Sequence, residues 1–191
     1  MIANALNFLL YTILGLFTLV VLLRFYLQLT GAPFQNPASQ AIVALTDFAV
    51  RPLRRVIPGW RGIDFSTLLL AFATQVLLQL GTLWLRDFPL LVADNAVWSA
   101  LLGLALIGLL KLSVYIFLYA VLLQAILSWV NPYTPISGVL EMLTRPLMRP
   151  LRKRIPLAGG VDLSPLVFFI IAELVLIALL APLEQQLLIF F

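Results

Sequence analysis

The sequence predicts an all-α membrane protein of four transmembrane helices, arranged as two tandem parallel repeats of span, basic amphipathic loop, span. Three observations predict it. The chain is 63% apolar and only 10% charged, against about 45–50% and about 25% in a soluble domain. At 191 residues a globule has too much surface to hide that many apolar side chains from water, so the remaining solvent is lipid. Four apolar stretches each reach the roughly 20 residues that a helix needs to cross a bilayer core. Finally, the phrase RPLRRVIPGWRGIDFS, from Arg51, returns as RPLRKRIPLAGGVDLS, from Arg149.

The first span is expected from Ile2 to Leu29. A secretory signal peptide opens with basic residues, whereas the first Lys or Arg here is Arg24, so this segment is expected to be retained. The second span is expected from Ile63 to Leu85. The third lies inside the apolar stretch Ala96–Val130, which at 1.5 Å per residue would make a helix of about 52 Å. One tilted span from Leu106 to Val130 is expected there. Ala96–Ala105 is then its extension or a separate interfacial piece. The fourth span is expected from Val161 to Leu183. Lipid-exposed backbone must satisfy its own hydrogen bonds, so all four should be helical.

Pairing each position from Pro37 to Leu68 with the one 98 residues later gives 14 identities in 32 without a gap, among them Thr46/Thr144, Asp64/Asp162 and Ser66/Ser164. Further upstream the offset is 100, which aligns Arg24 with Gln124. The expected domains are therefore residues 1–90 and 91–191. Short loops rich in Lys and Arg stay cytoplasmic. Nine of the 12 basic residues fall in the two matching loops (Arg51, Arg54, Arg55, Arg61, Arg145, Arg149, Arg152, Lys153 and Arg154). Both loops are expected inside and both termini outside, with the repeats related by an axis along the membrane normal.

Each loop reads as two short helical pieces. Asn36-Pro37 and Thr134-Pro135 have the form of an N-cap followed by Pro at the first helical position. Pro52 and Pro150 are expected to break or restart the helix. Three readings of the loops stand side by side. The basic residues can anchor the loops on the anionic inner leaflet, at about 1 kcal/mol each. Alternatively, Arg51, Arg54, Arg149 and Arg152 can form a latch with Asp64 and Asp162, with Ser66 and Ser164 as N-caps of the following spans. The third possibility is a ligand or phosphate site.

Ionisable and amide side chains at membrane depth invite a functional reading. Glu173 sits near the middle of the fourth span, and Gln75 is its counterpart at the 98 offset. Arg24, Gln75, Gln124 and Glu173, with Gln28, can serve as interhelical hydrogen-bonding groups at roughly 0.6–2 kcal/mol per bond. Alternatively Glu173 lines a hydrated path for a cation or proton. Cysteine and histidine are absent, which removes disulfides, the usual zinc ligand sets and histidine triads. No nucleophile–base pair stands out, so no enzymatic activity, cofactor or catalytic residue is expected. The net charge of +4 sits beside the spans, and no nucleic-acid partner is expected.

The combination of N-P after the first span, R-P-L-R-x-x-x-P and G-[IV]-D-x-S, written twice, resembles the YggT family of small membrane proteins, with its YlmG relatives in Gram-positive bacteria and plastids. The resemblance covers nearly the whole chain. It implies that Arg51, Pro52, Asp64, Arg149, Pro150, Asp162 and Ser164 belong to the family signature; Thr67 departs from the Pro of D-x-S-P, and Phe48 stands where the second copy has Pro146. It implies a multi-pass protein of the bacterial inner (plasma) membrane. Its bacterial relatives are linked to osmotic stress tolerance and ion homeostasis, Gram-positive ones lie near cell-division functions, and a plastid one assists assembly of a cytochrome complex. The function expected is a membrane factor in osmotic tolerance or complex assembly, acting through the basic loops. Its expected partners are anionic lipids, unknown membrane proteins and a possible second copy of itself. The alternative is an ion transporter or channel subunit centred on Glu173.

Overall fold

The computed structural model of the chain describes residues 2–90, 93–131, 133–155 and 162–191. Among these residues, four helices are long and apolar enough to cross a membrane: α1 (Ile2–Leu29), α3 (Phe65–Leu85), α4 (Asn95–Val130) and a last span, Ser164–Leu188. Two further helices of equal length, α2 (Pro37–Val56) and α5 (Pro135–Arg154), connect them. No strand longer than a single bridge occurs among the described residues. The chain is thus an all-helical membrane protein.

The apolar runs set the spans, and small residues let them approach. Thr18 of α1 and Thr74 of α3 share a buried hydroxyl hydrogen bond of 2.9 Å. At Gly81 of α3 a Cβ would stand 2.6 Å from Leu10 Cδ1 of α1, so the glycine leaves room for the Leu10 side chain at that crossing. The main core joins α1, α3, α4 and α5 through Val21, Leu22, Ala71, Leu109, Ile116, Ala120, Leu140 and Leu143. A second cluster, Leu118, Val121, Met148, Phe168 and Ala172, packs α4 and α5 on the last span.

The third apolar stretch is one helix of 36 residues, so Ala96–Ala105 is its extension. Lys111, within that helix, pairs with Glu184 near the end of the last span. That span runs to Leu188, beyond the expected end at Leu183, as α6 (Ser164–Leu174), a π-helical segment (Val175–Leu180) and α7 (Ala181–Leu188). Pro182 has no N–H for the carbonyl four residues earlier, and widening the ladder upstream absorbs that loss. The expected start of this span, Val161, and the repeated Pro156 lie outside the described residues.

α2 and α5 correct the expectation of two pieces per loop. Each is continuous, with Pro52 inside α2 and Pro146 and Pro150 inside α5. All three prolines are exposed. The carbonyls they leave unpaired are therefore on the side open to solvent, where they can be solvated. The opposite stripe holds Ser39, Thr46 and Val50 in α2 and Val139, Leu143, Thr144 and Met148 in α5, all buried, and the half-buried Leu53 and Leu151 continue it past Pro52 and Pro150. Packing of that stripe outweighs the local proline cost of about 3 kcal/mol.

Candidate functional site

The signature residues gather where α2 and α5 dock on the ends of the spans. Leu27 and Ala32, at the end of α1, pack with Val139 of α5, and Ile42 of α2 and Met142 of α5 close over them. The Asn36 side chain accepts from the Ala38 N–H at 2.9 Å, which caps α2, and donates to the Pro135 carbonyl at the start of α5. The two amphipathic helices therefore start beside each other at one end of the bundle. Thr134 holds the cap position of α5 without a side-chain cap bond.

At the exit of α2 the chain turns sharply. Trp60 and Ile63 exchange backbone hydrogen bonds of 3.0 Å, and Arg61 and Gly62 between them take φ of 52° and 83°. That left-handed pair needs a glycine at one position at least, which accounts for the Gly of the signature at 62. Asp64 follows, almost fully buried, and its carboxylate does two jobs. It accepts from the Thr67 N–H at 3.3 Å as N-cap of α3, and it pairs with the Arg54 guanidinium. Arg54 also donates to Gln28 Oε1 at 2.7 Å. One residue of α2 thus ties the end of α1 to the start of α3. In the second half, Arg152 Nε donates to Asp162 Oδ2 at 2.9 Å, and Asp162 Oδ1 accepts from the Ser164 N–H at 2.9 Å.

Ser66 and Ser164 are not the N-caps expected of them. Asp64 caps α3, while the Ser66 hydroxyl donates to the Ile57 carbonyl at 2.5 Å. Ser164 is the first residue of α6, behind Leu163. A carboxylate meets the positive helix end more strongly than a hydroxyl does; Asp64 takes the cap position of α3, and Asp162, one residue before the cap position of α6, accepts the Ser164 N–H. Burial raises the Asp162 carboxyl, but the Ser164 hydroxyl and N–H and the Arg152 guanidinium outweigh it and hold the group below its ordinary value. The Ser164 hydroxyl makes no hydrogen bond of good geometry among the described residues, so it acts there as a nearby dipole.

The polar groups of the spans separate into three kinds. Arg24 is buried and reaches α2: its Nη1 donates to Thr46 Oγ1 and to Asp47 Oδ1, both at 2.8 Å. Asp47 also binds Arg51 Nη2 at 2.8 Å, one turn along the helix. Gln124 makes the matching contact to α5, accepting from Thr144 Oγ1 at 2.6 Å. Gln75 is buried, and its Oε1 lies where a Cβ on Gly108 of α4 would stand, 2.6 Å away. Glu173 is different: it is exposed on the outer surface of α6 and has no salt bridge among the described residues. It neither joins Gln75 nor lines the bundle interior. Arg24, Gln28 and Gln124 bond outward to the amphipathic helices because they sit at the span ends where those helices dock. The expected network across the bundle is absent among the described residues.

Asp47 and Glu184 were not singled out from sequence. The i, i+4 spacing of Asp47 and Arg51 was a readable signal; the 23-residue separation from Arg24 was not.

The CCB3/YggT family model matches residues 3–85 and 103–183. Among curated proteins, the chain is similar to an uncharacterised protein of Pseudomonas aeruginosa, 37% identical, over 88% of this chain and 84% of that one. An uncharacterised Vibrio alginolyticus protein from the proC 3′ region is 40% identical over 87% and 89%. The uncharacterised protein YggT of Escherichia coli K12 is 36% identical over 88% and 85%. No solved structure matches the chain.

Proposed function

Because the chain belongs to the CCB3/YggT family, we propose that it is a multi-pass factor of the bacterial inner membrane, without enzymatic activity, serving osmotic tolerance or membrane-complex assembly. Its working surface is the pair of basic amphipathic helices, both facing the cytoplasm, with the chain termini outside. One observation carries the reading. Asp47, Asp64 and Asp162 hold Arg51, Arg54 and Arg152 along α2 and α5, and the two helices meet at one end of the bundle. A cationic surface fixed in that way suits recognition of anionic lipid or of an acidic partner. The two segments matched by the family model and the shared 98-residue register of α2 and α5 support tandem units of residues 1–90 and 91–191.

The test is growth at high osmolarity of cells that depend on this chain. Reversing both Arg51 and Arg149 to Glu is expected to abolish rescue, whereas Glu173→Gln is expected to rescue like the native chain. Loss of rescue by Glu173→Gln with retention by the double reversal would transfer the function to the transport reading.

A further inference from the structure

The two docking clefts differ in one correlated exchange of residues. At the first, Arg24 on the span faces Thr46 and Asp47 on α2. At the second, the matching positions hold Gln124, Thr144 and Arg145. The threonine contact survives with its donor reversed, but the carboxylate that neutralises the first cleft is replaced by a guanidinium. A cavity of about 600 Å³ in the first cleft is lined by Arg24, Gln28, Asp47 and Arg54, and both of its cations are paired with carboxylates. A cavity of about 280 Å³ in the second is lined by Arg145, Arg149, Arg152 and Lys153, with Glu141 alone against them. Only Arg152 of these four is ion-paired, to Asp162; the other three pair with no carboxylate among the described residues.

A second cavity, of about 530 Å³, shares Gln124 and Arg152 as lining residues. The rest of its wall is mostly apolar, with Val121, Trp129, Met148, Pro165 and Phe169; its polar members are Ser128 and Asp162, the carboxylate already paired with Arg152. Thr144 occupies the Gln124 oxygen, so the amide nitrogen is the atom left to serve these cavities. The smaller cavity lies between the last turns of α4 and the basic part of α5, and the larger one between those turns of α4 and the start of α6, near the end of the spans, where headgroups meet acyl chains.

We propose that this second cleft binds one anionic phospholipid. This deepens the reading that α2 and α5 are the working surface. The phosphate sits among Arg145, Arg149 and Lys153, beside the Gln124 amide, and an acyl chain fills the apolar cavity against Trp129. An excess of cations selects a negatively charged headgroup, and the guanidinium fork suits phosphate oxygens. A free phosphate would leave the apolar cavity without a role. The first cleft, neutralised by Asp47, does not share the preference.

The test reads Trp129 fluorescence in the full chain with Trp60, Trp84 and Trp98 replaced by Phe, reconstituted in phosphatidylcholine vesicles. A minor fraction of phosphatidylglycerol with brominated acyl chains is expected to quench Trp129 well beyond the same fraction of brominated phosphatidylcholine. Arg145→Asp, which writes the first cleft's residue into the second, changes the local charge by two units. It is expected to lower that preference roughly 25-fold, about fivefold per charge. Arg145→Gln is expected to lower it about fivefold and carries the test where the Asp variant does not fold. Equal quenching by the two headgroups overturns the proposal, as does a preference unchanged by both variants. Abolition of the preference by millimolar inorganic phosphate identifies a free-phosphate site instead and overturns it. So does abolition by a polyglutamate peptide, which identifies an acidic protein segment as the occupant. Quenching reads bound lipid and not growth. Its failure therefore leaves the osmotic test of Arg51 and Arg149 standing, and failure of that test leaves the lipid preference standing.

Discussion

Arg24 shows how a charge is kept at the end of a span. Its guanidinium is buried, and removing such a charge from water costs several kcal/mol unless it is paired and hydrogen-bonded. Asp47 and Thr46 answer it from α2, and the exposed Arg51 shares the same carboxylate. Asp47→Ala would leave Arg24 buried with only the Thr46 hydroxyl and the long 3.4 Å contact to the Val43 carbonyl. That change is expected to destabilise the folded chain by about 3 kcal/mol, read as a fall in the detergent unfolding midpoint. Adding Arg24→Gln removes the stranded charge and installs the amide that the second cleft uses at Gln124. The double variant is therefore expected to regain most of the loss, a coupling of at least about 1 kcal/mol. Equal loss in the single and double variants would show that the pair is not what holds α2 down. Glu173 is the contrasting case. It carries an ionisable group on a surface facing lipid, with no salt bridge among the described residues, and the sequence alone could not distinguish that position from one facing inward.

The amphipathic helices are the elements that the sequence describes least well. Their prolines argued for breaks, yet each helix runs through, because an exposed proline costs one hydrogen bond while the buried stripe is kept. The first two spans, by contrast, were legible to within about two residues, since continuous apolar runs leave few alternatives in lipid, whereas the third helix starts at Asn95 and not Leu106, and the last ends at Leu188 and not Leu183. Of the expected latch, the pairs Arg54–Asp64 and Arg152–Asp162 were legible from the repeated phrase, whereas Arg51 pairs with Asp47 and Arg149 has no carboxylate partner among the described residues. The partners of Arg24 and Lys111 were not legible, because they lie on other helices and no periodicity connects them. At the junction of α5 and α6 the Asp162 carboxyl is held below its ordinary value of 3.8 by Ser164 and Arg152, against the opposing effect of burial. A depressed carboxylate contributes stability that is complete above the ordinary value and is lost as pH falls toward the folded one. The α5–α6 junction is therefore expected to loosen below about pH 4, read as faster amide exchange at Leu163–Val167. Asp162→Asn is expected to remove that acid limb while leaving exchange at the Asp64-capped start of α3 unchanged. An acid limb that persists in Asp162→Asn would assign it to another carboxylate.

At the scale of the whole molecule, the geometry links two statements that composition leaves separate. Contacts from Asn36 to Pro135 and among Leu27, Ala32 and Val139 bring α2 and α5 to one end of the bundle, and the basic residues of both helices lie on their exposed sides. A bundle inserted in a membrane carries that end to one face only, so the proposed cytoplasmic placement of α2 fixes that of α5. The absence of cysteine from the sequence makes the placement directly measurable. Single replacements Arg55→Cys and Arg154→Cys should resist a membrane-impermeant maleimide in intact spheroplasts and react once the membrane is opened. Ser99→Cys, at the other end of α4, should react from outside. Labelling of Arg55→Cys and Arg154→Cys from opposite sides would contradict the shared docking end as well as the orientation. Labelling of both from outside would invert the orientation alone, and the anionic lipid at the second cleft would then have to come from the outer leaflet.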